Sequence, residues 1–388
     1  MDLRLGIRRE ARQKGWLRYS ASLGAAFALL AAGILSGCST PRTRFGYVAT
    51  GEGVFAFRFD AGTGSVNQVF GSPFVAKTNA NAAASPSSVV VDPSNQFVYT
   101  ANQDINNISL FKINSTTGAL TESLPRTSLT ASGAVGLSPA FMTMDSGGKF
   151  LFVANQVSND LWVFSVGSSG ALTFVSRAML AGPPSAMTLG PGGNLLYVPV
   201  PVFSAIYVFS VSSGVLTQVG TPFVVSGGVG IPAVDSHGNF LLVPNPSNST
   251  VTVLRIQSDG SLALGPGAFS TETTPGTATT PGTPTTPVAA AVSPTGAFAY
   301  VANAGAANLS QFAMAGDTGV LTALATPTVS SGTGPSQILI DPDGKFIFVV
   351  NQQANTVSEF TMNSDGTLVS TGNQMELTVP PRSFSITK

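Results

Sequence analysis

Apolar and polar positions alternate with a period of two through most of the chain. The alternating runs are short and are separated by Gly, Pro, Asn, Asp and Ser. Because successive side chains of a strand point to opposite faces, this pattern predicts β-strands joined by turns. No stretch of helical periodicity is long enough to compete, so we expect an all-β protein.

The alternating runs belong to one sequence unit that recurs about six times. The unit contains Pro-Ser, an apolar run, Asp-Pro-x-Gly, a strand ending in Tyr-Val-Ala-Asn, a polar loop, a strand with Phe, and Thr-Gly-x-Leu-Thr. Its copies begin at Pro86, Pro139, Pro184, Ile231, Val288 and Pro335. Each copy contains four strand signals, and four strands repeated at this period predict the blades of a β-propeller.

The two ends of the chain are complementary fragments of the repeat. Residues 45–50 begin in the middle of a unit, and residues 381–386 supply only the first strand of one. We therefore expect residues 45–388 to form a seven-bladed propeller with four antiparallel strands in each blade. The C-terminal strand would close the ring by joining the N-terminal half-blade, leaving no free sheet edge. An open β-solenoid is the alternative, but it gives no reason for complementary ends.

One phenylalanine recurs on the third strand of the unit. Its members are Phe111, Phe164, Phe209, Phe312 and Phe360. We expect them to form the core between blades, and Trp162, two residues before Phe164, points to the same face. Hydrophobic residues make up 43% of the chain, which argues against disorder although charged residues are only 9% and glycines number 42.

The N-terminus has the features of an export signal. Residues 1–20 are basic, and the apolar stretch over residues 21–35 is shorter than a typical transmembrane helix. It ends in Leu35-Ser36-Gly37-Cys38, which resembles the bacterial lipobox. The resemblance implies a signal peptide over residues 1–37, lipidation of Cys38 and a tether over residues 38–44. A twin-arginine signal at Arg8-Arg9 fits less well.

Cys38 is the only cysteine of the chain, so it cannot form an intramolecular disulfide. A buried free thiol is the alternative to lipidation. Two or three acyl chains would anchor the protein stably to a membrane. The chain is thus expected to be an exported lipoprotein of the bacterial cell envelope, and Ser39 implies the outer membrane in a diderm organism.

Cleavage changes the charge balance. Removing residues 1–37 takes six of 18 basic and two of 18 acidic residues, which leaves 12 and 16 and a net charge of −4. The remaining chain has no basic cluster, and this argues against a nucleic-acid partner.

The strand ends such as Tyr300-Val301-Ala302-Asn303 resemble the YVTN repeat of seven-bladed propellers. Residues 45–388 as a whole resemble the lactonase-like propeller family, which includes 6-phosphogluconolactonases and muconate-cyclising enzymes. The resemblance implies a lactone site formed by the Arg and His of a Gly-Pro-Arg-His stretch and by a Glu that follows the Tyr-Val-x-Asn strand.

This chain departs from that family pattern. Gly334-Pro335-Ser336-Gln337 stands where Gly-Pro-Arg-His is expected. The residue after the Asn is Gln103, Gln156 or Gln352, and an amide cannot act as a general base.

Three weak catalytic candidates remain. Arg382 retains one member of the family site, with Ser383 where His would stand. Asp104 and Asp160 are expected in loops on the same face and could substitute as bases, although both also fit loop-capping roles. A nucleophile elbow and a zinc-ligand cluster are absent from the sequence, so no cofactor or metal is expected.

Two other motifs favour ordinary turns. His237, the only histidine, lies in Asp235-Ser236-His237-Gly238, which is predicted between the first and second strands on the opposite face. Asp341-Pro342-Asp343-Gly344 suggests calcium but lacks the other ligands of an EF-hand loop, and its composition is typical of a type I turn.

A Pro/Thr-rich insertion over residues 270–287 interrupts the repeat. It is either an extended solvated segment or a lid or partner-docking loop. Taken together, the sequence favours a lipid-anchored, non-catalytic binding or assembly scaffold. It would contact the membrane through Cys38 and an envelope protein or small molecule through its loops, alone or as a subunit of a larger envelope complex. A divergent lactone hydrolase is the alternative.

Overall fold

The structure is a computed structural model that describes residues 43–60, 62–76, 84–272 and 284–388. The predicted signal peptide, Cys38 and most of the predicted tether lie outside these residues, as does the segment 273–283 of the insertion.

The described residues form 31 strands and one short 3₁₀ turn at Pro201–Phe203. The strands are β1 (Thr43–Thr50), β2 (Gly53–Asp60), β3 (Val66–Gln68), β4 (Pro86–Val91), β5 (Phe97–Asn102), β6 (Asn107–Ile113), β7 (Leu120–Ser128), β8 (Thr130–Ala131), β9 (Ala134–Val135), β10 (Pro139–Met144), β11 (Phe150–Asn155), β12 (Asp160–Val166), β13 (Leu172–Met179), β14 (Thr188–Leu189), β15 (Leu195–Val200), β16 (Ala205–Ser212), β17 (Val215–Gln218), β18 (Phe223–Val224), β19 (Ala233–Val234), β20 (Phe240–Asn245), β21 (Thr250–Ile256), β22 (Leu262–Ser270), β23 (Pro287–Val292), β24 (Phe298–Asn303), β25 (Asn308–Met314), β26 (Leu321–Ser330), β27 (Pro335–Ile340), β28 (Phe346–Asn351), β29 (Thr356–Met362), β30 (Leu368–Glu376) and β31 (Pro381–Ile386).

Twenty-nine of these strands form seven antiparallel sheets, which confirms the seven-bladed propeller. Blade 1 is β4–β7, blade 2 is β10–β13, blade 3 is β14–β18, blade 4 is β19–β22, blade 5 is β23–β26, blade 6 is β27–β30, and blade 7 is β31 with β1–β3. Blade 3 has a fifth short strand, and the hairpin β8–β9 lies between blades 1 and 2. The first strand of each unit lines the central channel, and we call it the inner strand.

The C-terminal strand closes the ring as predicted. β31 pairs antiparallel with β1, with Gly46 opposite Ile386, in a sheet of order β3-β2-β1-β31. β1 begins at Thr43, so residues 43 and 44, which were predicted to be part of the tether, belong to the propeller. Arg44 is buried. Its guanidinium donates to Asp341 at 2.5 Å and to Asp343 at 2.6 Å.

The propeller has two distinct faces. The turn face carries the turn between the inner and second strand of each blade, and both Thr43 and Lys388 lie there. The loop face carries the loops that follow the second strands and the segments that lead into the inner strands. The described residues at the two ends of the insertion also lie on the loop face, where the hydroxyls of Thr271 and Thr285 are 2.6 Å apart.

The Tyr and Gly of the repeat meet across the boundary between blades. The hydroxyls of Tyr47, Tyr99 and Tyr300 donate to glycine carbonyls of the next blade at 3.0, 2.8 and 2.6 Å. The acceptor of Tyr47 is Gly118, whose φ is +75° and where a Cβ would lie 2.2 Å from the ring of Phe45. Only glycine fits such a position, which explains the Thr-Gly part of the repeat.

The Asn that ends the second strand fastens the following loop. Asn102 donates through Nδ2 to Asn107 at 2.8 Å and to Ser109 at 2.9 Å. Asn303 makes the same pair of bonds with Asn308 and Ser310. Both amides are fully buried. Their hydrogen bonds pair polar side chains of the loop that would otherwise lack a partner.

The third-strand aromatics are buried at the boundaries between blades, as the sequence predicts. Phe111 packs with Phe45 and Tyr47 of blade 7, and Phe164 and Trp162 pack with Tyr99 of blade 1. The other members, Phe209, Phe312 and Phe360, are also buried against the preceding blade.

The Asp-Pro-x-Gly segment is a turn, as predicted. Oδ1 of Asp341 accepts from the backbone N–H groups of Lys345 and Phe346 at 2.6 and 2.8 Å. No group of three or more metal-ligand side chains that could hold an ion occurs in the described ranges. Nor does that part of the chain contain a helix long and apolar enough to cross a membrane.

Candidate functional site

The central channel is a concave surface of the described propeller. Its walls are the inner strands, and it contains two overlapping cavities of about 540 and 480 Å³. Side-chain bonds join neighbouring inner strands. The backbone N–H of Met142 donates to Ser88 at 3.1 Å, and that of Val91 donates to Ser385 at 3.0 Å. The smaller cavity opens at the loop face, where the sequence places its catalytic candidates.

Arg382 lies at this mouth on the second residue of β31. Its Nη1 donates to Ser85 Oγ at 2.7 Å and to the carbonyl of Pro86 at 3.4 Å. Among the described residues that line the smaller cavity, Arg382 is the one with a formal charge. This arrangement provides a fixed donor for an acceptor-bearing ligand but supplies no base.

Asp104 reaches the same segment from blade 1. Its Oδ1 accepts from the backbone N–H of Ser85 at 3.2 Å. The structure therefore brings Arg382 and Asp104 to the same residue, Ser85, one at its hydroxyl and the other at its backbone N–H. In this geometry Asp104 caps a loop, as its sequence context also suggests.

Asp160 lies elsewhere and is not in a loop. It is the first residue of β12 and is fully buried. Its carboxylate accepts from Ser158, Trp162 Nε1 and Arg177 Nε at 2.6, 2.9 and 2.5 Å. It also accepts from Asn155. These bonds satisfy a buried charge and leave no face for a substrate, so the loop position that the sequence suggested for Asp160 is wrong.

The residues that replace the family's His have structural contacts. Gln337 Oε1 accepts from the N–H of Phe384 at 3.0 Å, and Gln337 Nε2 donates to the carbonyl of Phe384 at 3.4 Å. Ser383 Oγ accepts from the N–H of Val89 at 3.4 Å. Both side chains thus hold the closing strand β31 against its neighbours.

His237 is on the turn face, as predicted, and its side chain is exposed. Its Nδ1 lies 3.6 Å from Asp235 and 3.3 Å from Ser236 Oγ. It is separated from Arg382 by the length of the strands, so these two residues do not form one site.

A second concavity on the loop face was missed by the sequence reasoning. It has a volume of about 340 Å³ and is lined by residues of blades 3–6, including Pro201, Pro246, Ala304 and Gln352. A sequence signal existed for it. The residue after the strand-ending Asn is Gln in blades 1, 2 and 6 but Pro246 in blade 4 and Ala304 in blade 5.

Comparison with known proteins agrees with this architecture. The family described as "Lactonase, 7-bladed beta-propeller" matches residues 52–136, 124–232 and 168–385. The chain belongs to this lactonase-type seven-bladed propeller family. No curated protein matches the chain.

Solved structures of this propeller family are similar to the chain at low sequence identity. A proposed 6-phosphogluconolactonase of Bacteroides fragilis is 20% identical, with a TM-score of 0.72 over 91% of this chain and 100% of its own. A periplasmic gluconolactonase of Pseudomonas aeruginosa is also 20% identical, with a TM-score of 0.70 over 89% and 99%. At this identity the similarity establishes the fold alone.

Proposed function

We propose that this propeller is a lipid-anchored binding or assembly scaffold of the bacterial cell envelope that does not hydrolyse lactones. The observation that carries the proposal is the composition of the channel mouth, where the described lining of the cavity contains Arg382 but no Asp, Glu or His. Opening a lactone requires a base to activate water and donors to stabilise the developing oxyanion. At the mouth, Gln352 stands in place of a carboxylate, and Gln337 holds the backbone of β31.

A phosphorylated substrate fits the mouth poorly as well. Recognition of a phosphate group usually needs several Lys or Arg side chains with charge-assisted hydrogen bonds. The described lining of this cavity contributes only Arg382, one of whose nitrogens is already bonded to Ser85.

The test is a lactone-hydrolysis assay with the mature protein. Wild type, Arg382→Ala and Asp104→Asn are assayed on 6-phosphogluconolactone and on gluconolactone, beside an active lactonase as positive control. We expect all three proteins to match the spontaneous rate. Turnover well above that rate, lost in Arg382→Ala, would refute the non-catalytic role.

A divergent lactone hydrolase is the second candidate. It is favoured by the family membership and by the approach of Arg382 and Asp104 to Ser85. In this alternative Arg382 would stabilise the oxyanion and Asp104 would activate water. Loss of turnover in Asp104→Asn as well would support these roles.

The anchor is proposed from the sequence around Cys38. Replacing Cys38 with Ser should abolish incorporation of a labelled fatty acid, and unchanged labelling would exclude Cys38 as the acceptor. β1 begins at the turn face five residues after Cys38, and five residues span at most about 17 Å. The anchor would therefore hold the turn face toward the membrane and present the loop face to partners.

That orientation has its own measurement. Fluorophores on Ser146→Cys, at the turn face, and on Gln353→Cys, at the loop face, can be compared in proteoliposomes that contain an acceptor lipid. We expect stronger energy transfer from position 146. Equal or reversed transfer would contradict the orientation while leaving the lipidation of Cys38 intact.

A further inference from the structure

Among the described residues, the lining of the loop-face cavity beside the channel contains no charged side chain. Its walls include three prolines, Pro201, Pro246 and Pro335, and the aliphatic side chains of Val229 and Val288. The volume of about 340 Å³ lies within the range of ligand sites. A charged group placed there would lose hydration without gaining a partner, so the lining selects an uncharged ligand.

The internal repeat explains why the cavity is open on one side of the ring. In blades 1 and 2 the residue after the strand-ending Asn is a glutamine that bonds to the next blade. Gln103 Nε2 donates to Ser138 Oγ at 2.7 Å, and Gln156 Nε2 donates to the carbonyl of Pro184 at 3.4 Å. Pro246 and Ala304 occupy the same position in blades 4 and 5 and cannot make this bond, which leaves the space unfilled.

The polar groups of the cavity are available for a ligand. Gln352 is the blade 6 counterpart of Gln103, yet its exposed side chain makes no hydrogen bond to the described residues. Gln353 beside it is also exposed and lines the cavity. Ser185 Oγ, in the wall, is shielded from solvent and lacks a hydrogen-bond partner in the described chain. A buried hydroxyl without a partner is costly and is relieved by a ligand that pairs with it.

An exposed apolar edge continues the cavity outward. The turn Pro201–Phe203 places Pro201 in the wall, while Val202 and Phe203 remain 64% and 48% exposed. Adjacent exposed apolar side chains of this size mark surfaces that are covered on binding. A ligand that fills the cavity and also covers Phe203 must be longer than a single small molecule.

We propose that this cavity binds an extended, uncharged peptide segment of a partner protein. The Gln352 amide would pair with a backbone amide of the peptide, since each offers one acceptor and at least one donor. Small apolar side chains of the peptide would pack between Pro246 and Pro335, and the next residues would cover Val202 and Phe203. This proposal names the ligand class of the binding role proposed above and does not depend on the lipid anchor.

A saccharide would fit the same lining poorly. It presents several hydroxyls over the area that a peptide covers with one amide and one side chain. Most of these hydroxyls would face proline and valine and would lose hydrogen bonds to water without replacement. The lining thus favours a peptide over a neutral sugar.

The experiment is fluorescence anisotropy with the mature protein and a panel of labelled octapeptides blocked at both ends. One set is neutral and composed of Pro, Val, Thr and Ala, and a matched set carries Lys or Glu at alternate positions. We expect members of the neutral set to bind more tightly than about 1 mM, and their charged counterparts about tenfold more weakly.

Three variants locate the site. Gln352→Ala should weaken binding about fivefold to tenfold through the lost amide pair. Ala304→Phe, which fills the cavity from its wall, should weaken it more than about tenfold. Gln103→Ala, the same repeat position in blade 1, is the matched control and should bind as wild type. Thermal melting verifies that each variant is folded.

The outcomes are decisive. If no neutral peptide of the panel binds, or if Ala304→Phe binds as well as wild type, the proposal is wrong. Binding of a neutral oligosaccharide that competes at this cavity would overturn the ligand class. A negative result in the peptide-binding assay does not change the result of the lactone assay or of the lipid labelling. The peptide proposal can therefore fail while the non-catalytic scaffold role still stands.

Discussion

The boundary between blades 6 and 7 differs from the boundary between blades 1 and 2. At the ordinary boundary, Tyr99 donates to the Gly170 carbonyl and the surrounding contacts are apolar. At the closing boundary, Phe348 stands in the position of Tyr99 and makes no such bond. The buried Arg44–Asp341 ion pair and the buried carboxylate of Glu359 lie there instead.

This difference follows from how each boundary is assembled. Blades 1 and 2 are neighbours in sequence, so their contact is nearly local. Blades 6 and 7 meet only when the first strands of the fold return beside the last. Apolar packing is non-directional. We infer that the Arg44–Asp341 ion pair and the hydrogen bonds of the Gln337 side-chain amide fix the register of strands at the closing boundary. Chain connectivity alone does not fix that register.

The largest effect is expected from removing the closing strand. Truncation after Pro380 deletes β31, exposes the unpaired edge of β1 and removes Phe384, which packs 5.2 Å from the ring of Phe348. The loss of one buried Phe alone is worth about 3–5 kcal/mol. We expect the truncated protein to melt far below wild type or to aggregate. An unchanged melting temperature would show that β31 is dispensable.

The next effect concerns the buried ion pair. Arg44→Ala leaves the carboxylate of Asp341 buried without its charge partner, and we expect a loss of about 3 kcal/mol in the free energy of unfolding. Asp343→Ala is the control, because the side chain of Asp343 is 49% exposed. It should cost less than about 1 kcal/mol. Equal losses in urea denaturation would contradict the distinction between the two partners.

Glu359 should make stability depend on pH. Burial raises the pKa of this carboxyl, and the nearby Asp341 adds to the increase. Hydrogen bonds from Asn373 and Thr371 and the charge of Lys345 act in the opposite direction without reversing the shift. The folded state therefore holds the proton more tightly than the unfolded state, and its stability falls as the pH rises through the raised pKa.

Glu359→Gln removes this ionisation and resembles Gln311, which stands at the same position in blade 5 and bonds to Leu368. We expect the variant to lose that part of the pH dependence. At pH 8 it should be more stable than wild type by on the order of 1 kcal/mol. Parallel stability curves for the two proteins between pH 4 and 8 would contradict the assignment.

The smallest effect is expected at the ordinary boundary. Burial raises the pKa of Tyr99, so its hydroxyl stays protonated and donates to Gly170. Tyr99→Phe leaves that carbonyl unpaired and should cost about 1 kcal/mol. Tyr197 is the matched control, because its buried hydroxyl has no partner among the described residues. Tyr197→Phe should be neutral, and an equal loss in both variants would show that the bond contributes nothing.

The fold could be predicted from the sequence because each position of the repeat has the same packing role in every blade. Phe111 and its relatives recur at one position since every blade presents the same face to its neighbour. The closing strand was predictable because residues 381–386 match the start of a repeat. The buried role of Arg44 was not, since nothing local to residue 44 indicates an Asp about 300 residues away.

The candidate site was less predictable than the fold. The sequence identified Arg382 and Asp104 as members of one face, and the structure brings both to Ser85. It misplaced Asp160, whose partners Trp162 and Arg177 assemble only when β12 pairs with β13. Lipidation of Cys38 remains a prediction. The loop-face cavity exists because Pro246 and Ala304 do not fill the space that a glutamine fills in blades 1 and 2. The sequence shows this replacement but not the cavity that results from it.

The pairing of β1 with β31 also sets an order of events during synthesis. Gly46 and Ile386 are 340 residues apart in sequence, so the strands β1–β3 must persist with one unsatisfied edge while six blades are made behind them. Contacts this distant form late and slowly, and an unpaired edge is prone to associate with other chains. Folding of this ring cannot be completed until residues 381–386 have been synthesised and can pair with β1.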